Sequence, residues 1–442
     1  MTTGRVRRSS RRREGYGIRL TARGWWFVVA AGASAAGAFA AGVPELLYVA
    51  GLALVLVAVA FTLVVSRRVR LDVVREFAPA VAAIGQVVSV DVTVRNTSRT
   101  TLAASDAVDF RPFGAINRDR SLALPALGPD RRGSSAKPSV AHVRYRLEAT
   151  SRGVFEIGPF AVTVIDPFAL ATRVVPAGPL DELVVTPALE TLRDSGLAVI
   201  ASEGASALVR RASGADDDLS TREYRTGDAM RRVHWRATAK YGELMVRQEE
   251  PRSHAEARVV IDTRASGYGP LAPVTPRSSP EFERALSIAG SIAIHLAHRG
   301  FAVEVVESSA AQLAPVAPLP EFLRSLATIE LSGETGRVSP DSPLGAPVRL
   351  DRGSGSLFAV VSNPDQETLD RLERQRSGFG LAVACVVDPD AIADASSDDG
   401  ARETATAALD RAGWTVVLVR PGDTAVDVWA AVADIHGVRH GR

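Results

Sequence analysis

The chain has 442 residues and a net charge of +2, from 52 lysines and arginines against 50 aspartates and glutamates. That length accommodates two or three domains, and so even a charge balance gives no bulk electrostatic argument for nucleic acid. The single cysteine, Cys385, excludes an intramolecular disulfide and any cysteine-based zinc site, and it fits a reducing compartment.

Residues 1–19 hold Arg5, Arg7, Arg8, Arg11, Arg12, Arg13 and Arg19 against Glu14 alone. They lack apolar periodicity and are expected to form a disordered basic tail. Residues 20–68 read as a two-helix transmembrane hairpin. Trp25–Ala41 is apolar and uncharged over 17 residues, near the lower limit for crossing a bilayer, and Leu46–Val65 gives a full span of 20. Gly42-Val43-Pro44-Glu45 leaves room only for a tight turn, and Trp25 and Trp26 stand where an interfacial aromatic belt is expected. Arginines crowd before the first helix and after the second (Arg67, Arg68, Arg70), and the turn has none. The positive-inside rule therefore puts both termini and everything downstream on the cytoplasmic face of a plasma membrane. The alternative, a signal peptide cleaved within the small-residue run 31–42, keeps the second helix and the same placement. Near the surface the arginines also suit anionic headgroups, at about 1 kcal/mol each. The lipid bilayer is thus an expected partner and nucleic acid is not.

Residues 69–187 change character. Val87–Val94 alternates apolar and polar residues and ends in the turn Asn96-Thr97-Ser98; Val143–Ala149 and Phe160–Ile165 alternate in the same way. Such a run of strands predicts an all-β immunoglobulin-like sandwich. Arg152-Gly153 and Asp166-Pro167-Phe168 read as turn chemistry, and Leu183–Pro187 as an extended bridge to the next segment.

Residues 188–254 are a linker followed by a segment dense in charge of both signs. The acidic run Asp216-Asp217-Asp218 lies in a soft loop over 195–220 and reads as a solvated loop, because three adjacent carboxylates on a flexible chain fix no coordination shell. Asp228 is placed to cap a helix over Ala229–Lys240, with Gly242 as its stop, and a strand follows over Leu244–Gln248. Arg222, Glu223, Tyr224, Arg225, Gly227, Asp228, Arg231, His234, Trp235, Arg236 and Lys240, followed by Leu244, Val246, Arg247 and Glu250, closely resemble the signature of the DUF58 family. That is a bacterial family of unknown biochemical function. The resemblance implies a partner-binding or polar network at these positions. It also implies genomic neighbours, a MoxR-type AAA+ ATPase and a transglutaminase-like membrane protein, as partners.

From residue 255 to 442 apolar runs alternate with helical patterns. Strands are predicted at Ala257–Ile261, Ala302–Val306, Leu357–Val361, Leu381–Val387 and Thr415–Val419, and helices at Glu281–His298, Glu321–Ile329, Gln366–Arg376, Glu403–Ala412 and Val426–Ile435. Continuous apolar strands alternating with amphipathic helices predict an α/β doubly wound, mainly parallel sheet. Any ligand site is expected at the strands' carboxyl ends, with Asp262, Ser362, Asn363 and Asp388 on its rim. Asp262-Thr263-Arg264-Ala265-Ser266 resembles the metal-ion site of von Willebrand factor A domains, whose pattern is Asp-x-Ser-x-Ser. The resemblance implies an A-like domain holding Mg²⁺ through Asp262 and Ser266. Arg264, however, stands where an oxygen ligand belongs, and its charge opposes a divalent ion. The expectation is a degenerate site in which Arg264 neutralises Asp262, with no cofactor.

No Gly-x-Ser-x-Gly, Walker or Gly-x-Gly-x-x-Gly motif occurs. His234 reads as a hydrogen-bonding residue, and acidic residues interleave with the arginines of the signature, which points to internal pairing instead of phosphate contacts. The sequence thus predicts a multi-pass membrane protein acting as a non-enzymatic adaptor or scaffold at the cytoplasmic face. The alternative is a hydrolase using Asp262 and His234, which requires the two side chains within about 3 Å of each other or of one shared water.

Overall fold

The computed structural model describes residues 17–109, 121–129, 139–194, 221–224, 230, 233–247, 256–268, 278–332, 355–388 and 398–436. Residues 1–16, the 195–220 loop and the signature positions Arg225, Gly227, Asp228 and Arg231 lie outside this set. The chain divides into two compact units, Met1–Val185 and Thr186–Arg442.

The first unit begins with strand β1 (Ile18–Leu20), and two helices follow, α1 (Ala22–Ala41) and α2 (Glu45–Ser66). At ~1.5 Å per residue each helix is ~30 Å long or slightly more, and both are long and apolar enough to cross a membrane. Thr21 caps α1 by accepting the amide of Gly24 at 3.0 Å. Gly42 stops the helix in the left-handed region at φ 66°, where a Cβ is costly. Among the described residues ten further strands follow: β2 (Leu71–Ala78), β3 (Val81–Ala83), β4 (Val87–Asn96), β5 (Ser105–Asp109), β6 (Leu122–Leu124), β7 (Val140–Glu148), β8 (Gly153–Ile157), β9 (Phe160–Ile165), β10 (Ala171–Ala177) and β11 (Asp181–Thr186). They form sheets ordered β1-β10-β9-β5-β6, β2-β4-β7 and β3-β11-β8. In β4 the alternation is nearly complete: Val88, Val90, Val92 and Val94 enter the core and their neighbours do not. Phe160, Val162, Leu183 and Val185 join the same core, so side chains from all three sheets share one interior.

Two expectations are corrected here. Ile18 and Arg19, assigned to the disordered tail, belong to β1, which pairs antiparallel with β10. Leu183–Pro187, read as a bridge, is largely strand β11, because Leu183 and Val185 are fully buried and hold it in register against β8. The turn reading of Asp166 is met in detail. Its carboxylate accepts the amides of Phe168, Leu170 and Ala171 at 2.8, 2.7 and 2.6 Å.

A buried ion pair crosses the interior of this unit. Arg75 donates to both carboxylate oxygens of Asp109 at 2.9 and 2.8 Å and also reaches Asp181 at 2.7 Å; Tyr145 adds a hydroxyl bond to Asp109 at 2.7 Å. The Arg75 and Asp109 side chains are wholly screened from solvent.

The second unit opens with a small module: β12 (Thr221–Glu223) pairs antiparallel with β13 (Met245–Arg247), and α3 (Trp235–Tyr241) lies between them in sequence. The main sheet follows as β14 (Glu256–Ile261), α4 (Pro280–His298), β15 (Ala302–Glu307), α5 (Leu319–Thr328), β16 (Gly355–Val361), α6 (Gln366–Arg376), β17 (Leu381–Val387), α7 (Asp398–Arg411), β18 (Thr415–Val419) and α8 (Ala425–Ile435). All five of its strands are parallel, in the order β15-β14-β16-β17-β18. Residues of α4, α5 and α8 pack on one face with Val259, Phe358 and Cys385, and residues of α6 and α7 on the other with Val260, Leu357 and Val386. The predicted alternation of strand and helix is therefore present throughout, with shifts of a few residues at the ends.

Candidate functional site

The strand order reverses between β14 and β16: one leads through α4 to β15, the other through α6 to β17 on the opposite side. In a doubly wound sheet this reversal opens a crevice at the carboxyl ends of the two strands. Asp262 follows β14 directly and is completely buried there. Its Oδ1 accepts the Arg264 amide at 3.1 Å, Arg264 Nε at 3.0 Å and Ser308 Oγ at 2.6 Å; its Oδ2 accepts Arg264 Nη2 at 2.7 Å. Tyr268 donates its hydroxyl to the Asp262 carbonyl at 2.6 Å. Gly267 closes the far side, since a Cβ there would stand 2.9 Å from Oδ2. The remaining Arg264 nitrogen, Nη1, forms an ion pair with Asp365 at 2.5 Å.

The electrostatics favour this closed arrangement. Burial works against the Arg264 charge, but Asp262 and Asp365 outweigh it and hold the guanidinium above the ordinary arginine pKa. Burial, reinforced by the charge of Asp262, pushes the Tyr268 phenol well up, so it remains a donor. Burial also pushes Asp365 up, yet hydrogen bonds from Thr368 and the Arg264 charge prevail and keep it below the ordinary aspartate value.

A divalent cation does not fit this donor set. Three N–H or O–H donors already converge on Oδ1, and a guanidinium fills the position a metal would need. Ser266 is exposed on the short turn Ala265–Gly267 and is not among the donors to Asp262. Among the described residues no cluster of three or more His, Cys, Asp or Glu is arranged to hold a metal. The metal-ion pattern implied for Asp262 and Ser266 is thus replaced by an internal cation. Ser308 and Asp365 were not anticipated as parts of the site. Asp365 carries a visible signal, an N-cap aspartate three residues before Thr368 at the start of α6. Ser308 has only its place at the end of an apolar run.

Asp365 should make the crevice sensitive to acid. Its folded pKa is depressed, so its contribution is complete above the ordinary value of 3.8 and is lost as pH falls through the lower folded value. Glu307, raised by burial, acts in the opposite sense, losing its contribution as pH rises. In melts across acidic pH, Asp365→Asn is expected to flatten the acid limb of the parent's curve and leave the neutral region parallel. An unchanged acid limb would remove Asp365 from this role.

The signature segment presents a different surface. The predicted helix over Ala229–Lys240 is corrected in its described part: Val233 is buried in a β-bridge to Val246, and the His234 amide donates to the Met245 carbonyl, so the α-helix holding Lys240 starts at Trp235. His234 itself caps α3, its Nδ1 accepting the Ala237 amide at 3.0 Å. That bond requires Nδ1 unprotonated and assigns the ring hydrogen to Nε2. Gly242 ends α3 in the left-handed region, as its position predicts. No residue of α3 is buried. Trp235 is 66% exposed, with Met230, Tyr241 and Leu244 also open to solvent. Glu223, Arg236 and Lys240 are exposed, Tyr224 is half-buried, and the Lys240 ammonium lies 5.5 Å from the Tyr241 ring centre. For Arg222 only the backbone pairing to Val246 is described. His234 and Asp262 are not hydrogen-bonded to each other; their partners are those just named.

These features define a class: an apolar helix pair, an antiparallel β unit, and a parallel doubly wound sheet preceded by a small two-stranded module. Residues 220–315 match the family described as "Protein of unknown function DUF58", a stretch spanning the signature module and the crevice residues Asp262, Arg264 and Ser308. No curated protein matches the chain. Similar solved structures include the CARDB domain of PF1109 from Pyrococcus furiosus, at 13% identity over 25% of this chain and 94% of that one, with a TM-score of 0.16. Another is the PilB minor pilin from Streptococcus sanguinis, at 8% identity over 77% of this chain and 92% of that one, with a TM-score of 0.24. Likenesses at these scores carry no argument about activity.

Proposed function

We propose that this chain is a membrane-anchored, non-enzymatic adaptor whose folded units and termini lie at the cytoplasmic face, and whose α3 module is the surface that takes a protein partner. In this reading the β unit is an immunoglobulin-like sandwich and the parallel sheet a von Willebrand factor A-like domain. The partner implied by the family resemblance is a MoxR-type AAA+ ATPase, with a transglutaminase-like membrane protein as a further neighbour.

The observation that carries the reading is Trp235, an indole 66% exposed on a helix that buries none of its residues. A water-facing tryptophan, with Tyr241, Met230 and Leu244 also exposed in the same module, leaves apolar surface in water that burial against a partner would recover. Exposed tryptophans with arginines beside them are also the commonest energetic anchors of protein interfaces. The crevice adds support, because Arg264 fills from within the place where such sheets take small ligands. A hydrolase built on Asp262 and His234 gains nothing from the geometry, since each side chain is already engaged elsewhere.

The test is co-purification of the full chain from its membrane in detergent, with bound proteins identified by mass spectrometry. An AAA+ ATPase is expected with the parent, and Trp235→Ala is expected to lower its recovery about tenfold or more, the scale of an interface anchor. Arg225→Ala provides a second site within the same signature. Equal recovery from parent and variants, or no ATPase with any of them, would overturn the assignment.

A further inference from the structure

The β unit is fastened to the helix pair over a long stretch, and the fastening is the Asp166–Ala171 turn. Thr21, the cap of α1, donates its amide to the Leu170 carbonyl at 2.9 Å and its hydroxyl to the Ala169 carbonyl at 2.6 Å. Gly24 allows the approach: a Cβ there would stand 2.2 Å from the Leu170 oxygen, too close for any side chain. On the other helix, Leu170 and Ala171 pack with Ala60 and Val64, and Ile18, Leu20, Leu56 and Val57 close around them. Arg173 donates to the Val65 carbonyl at 3.2 Å. Leu56 lies ten residues before the end of α2, so this contact runs about 15 Å down the helix.

That depth decides where the turn sits. α2 has 22 residues, barely more than the ~20 a bilayer core requires, so the helix cannot cross the membrane and also leave its last 15 Å, roughly, in water. With α2 anchored as proposed above, the turn and the adjoining ends of β1, β9 and β10 are therefore held at the membrane boundary and not in bulk water. The exposed residues there are suited to that level. Phe168 at the tip is 51% exposed and Ile165 beside it 42%, while Trp25 and Trp26 on α1 are 59% and 71% exposed. Arg19 and Arg173 stand in the paired strands β1 and β10, and Arg23 and Arg67 at the adjoining ends of α1 and α2, so positive charge gathers at this end of the helix pair.

We propose that the Asp166–Ala171 turn is a lipid-binding wedge. Phe168 and Ile165 enter the boundary between headgroups and acyl chains beside Trp25 and Trp26, and the surrounding arginines select an anionic leaflet. This rests on the membrane anchoring proposed above but adds a second attachment, made by the β unit itself.

The wedge is tested with single nitroxide labels in the full chain, reconstituted in phosphatidylethanolamine–phosphatidylglycerol vesicles. The native Cys385 is fully buried with its thiol pushed up to about 12, so it does not compete for label. Phe168→Cys reports the wedge, Trp26→Cys the helix pair, and Val87→Cys the aqueous reference, at the end of β4 opposite the Asn96–Leu71 pairing that adjoins α2. The side chain of Phe168 takes no part in the bonds that hold the turn, so its replacement leaves the turn intact. Labels at 168 and 26 are expected to collide several-fold more with oxygen than with a water-soluble nickel chelate, and the label at 87 to show the reverse. A chelate-dominated signal at 168 with an oxygen-dominated one at 26 would overturn the wedge while leaving the anchor in place. Chelate-dominated signals at both would overturn the anchor and the wedge together.

Discussion

Replacing Asp109 with alanine is expected to cost the β unit about 3–5 kcal/mol, the loss typical when one partner of a buried ion pair is removed. The Arg75 guanidinium then stays in the interior with Asp181 and the Pro179 carbonyl as its remaining acceptors, and the Tyr145 hydroxyl loses its bond to Asp109. Arg75 cannot escape by titration, because an arginine side chain remains charged in a protein. Amide exchange along β4 and β7 reads the effect without assuming that the whole chain unfolds in one step. The pairing, not the aspartate alone, is at issue, so Arg75→Met combined with Asp109→Leu is expected to recover most of the loss. Failure of the double variant to recover would mean that cavity formation, not an orphaned charge, dominates.

The second large effect is expected from Arg264→Ser. Removing the guanidinium leaves Asp262 fully buried with two donors, Ser308 and the residue-264 amide, and without a counter-charge. A loss of about 3–5 kcal/mol is expected in chelator. The same substitution places a hydroxyl where the Asp-x-Ser-x-Ser pattern has one, beside Asp262 and near Ser266. Millimolar Mg²⁺ is therefore expected to raise the variant's thermal midpoint in the logarithmic manner of a bound ligand and to leave the parent's unchanged. Stabilisation of the parent by Mg²⁺ would contradict the view that Arg264 already occupies the position.

How much of this was legible depended on whether a feature is written locally. The β4 pattern and the five apolar runs of the parallel sheet are local, and they appear where the alternation and the β-branched clusters put them. The helix pair is legible for the same reason. The start of α3 was misread because Asp228 and Gly227 look like a helix entry, whereas Val233 is claimed by a strand partner 13 positions away, Val246. Strand β1 is three residues long next to an arginine-rich tail and becomes a strand only because β10 offers it an edge. The Asp262–Arg264 pair was expected from the resemblance of residues 262–266 to an Asp-x-Ser-x-Ser pattern, but Ser308 and Asp365 come from other strand ends. Their convergence is a property of the 2-1-3 strand order, which no local pattern spells out.

The placement of β1 before α1 bears on how the protein is made. Leu20 pairs with Ala171, so 151 positions separate a three-residue strand from its neighbour in the sheet. At ~5–20 residues per second that neighbour leaves the ribosome about 8–30 s later. By then both apolar helices have been synthesised. The last pairing of this sheet therefore forms after both apolar helices have left the ribosome, and it joins the segment before α1 to the strand whose first residue, Ala171, packs on α2.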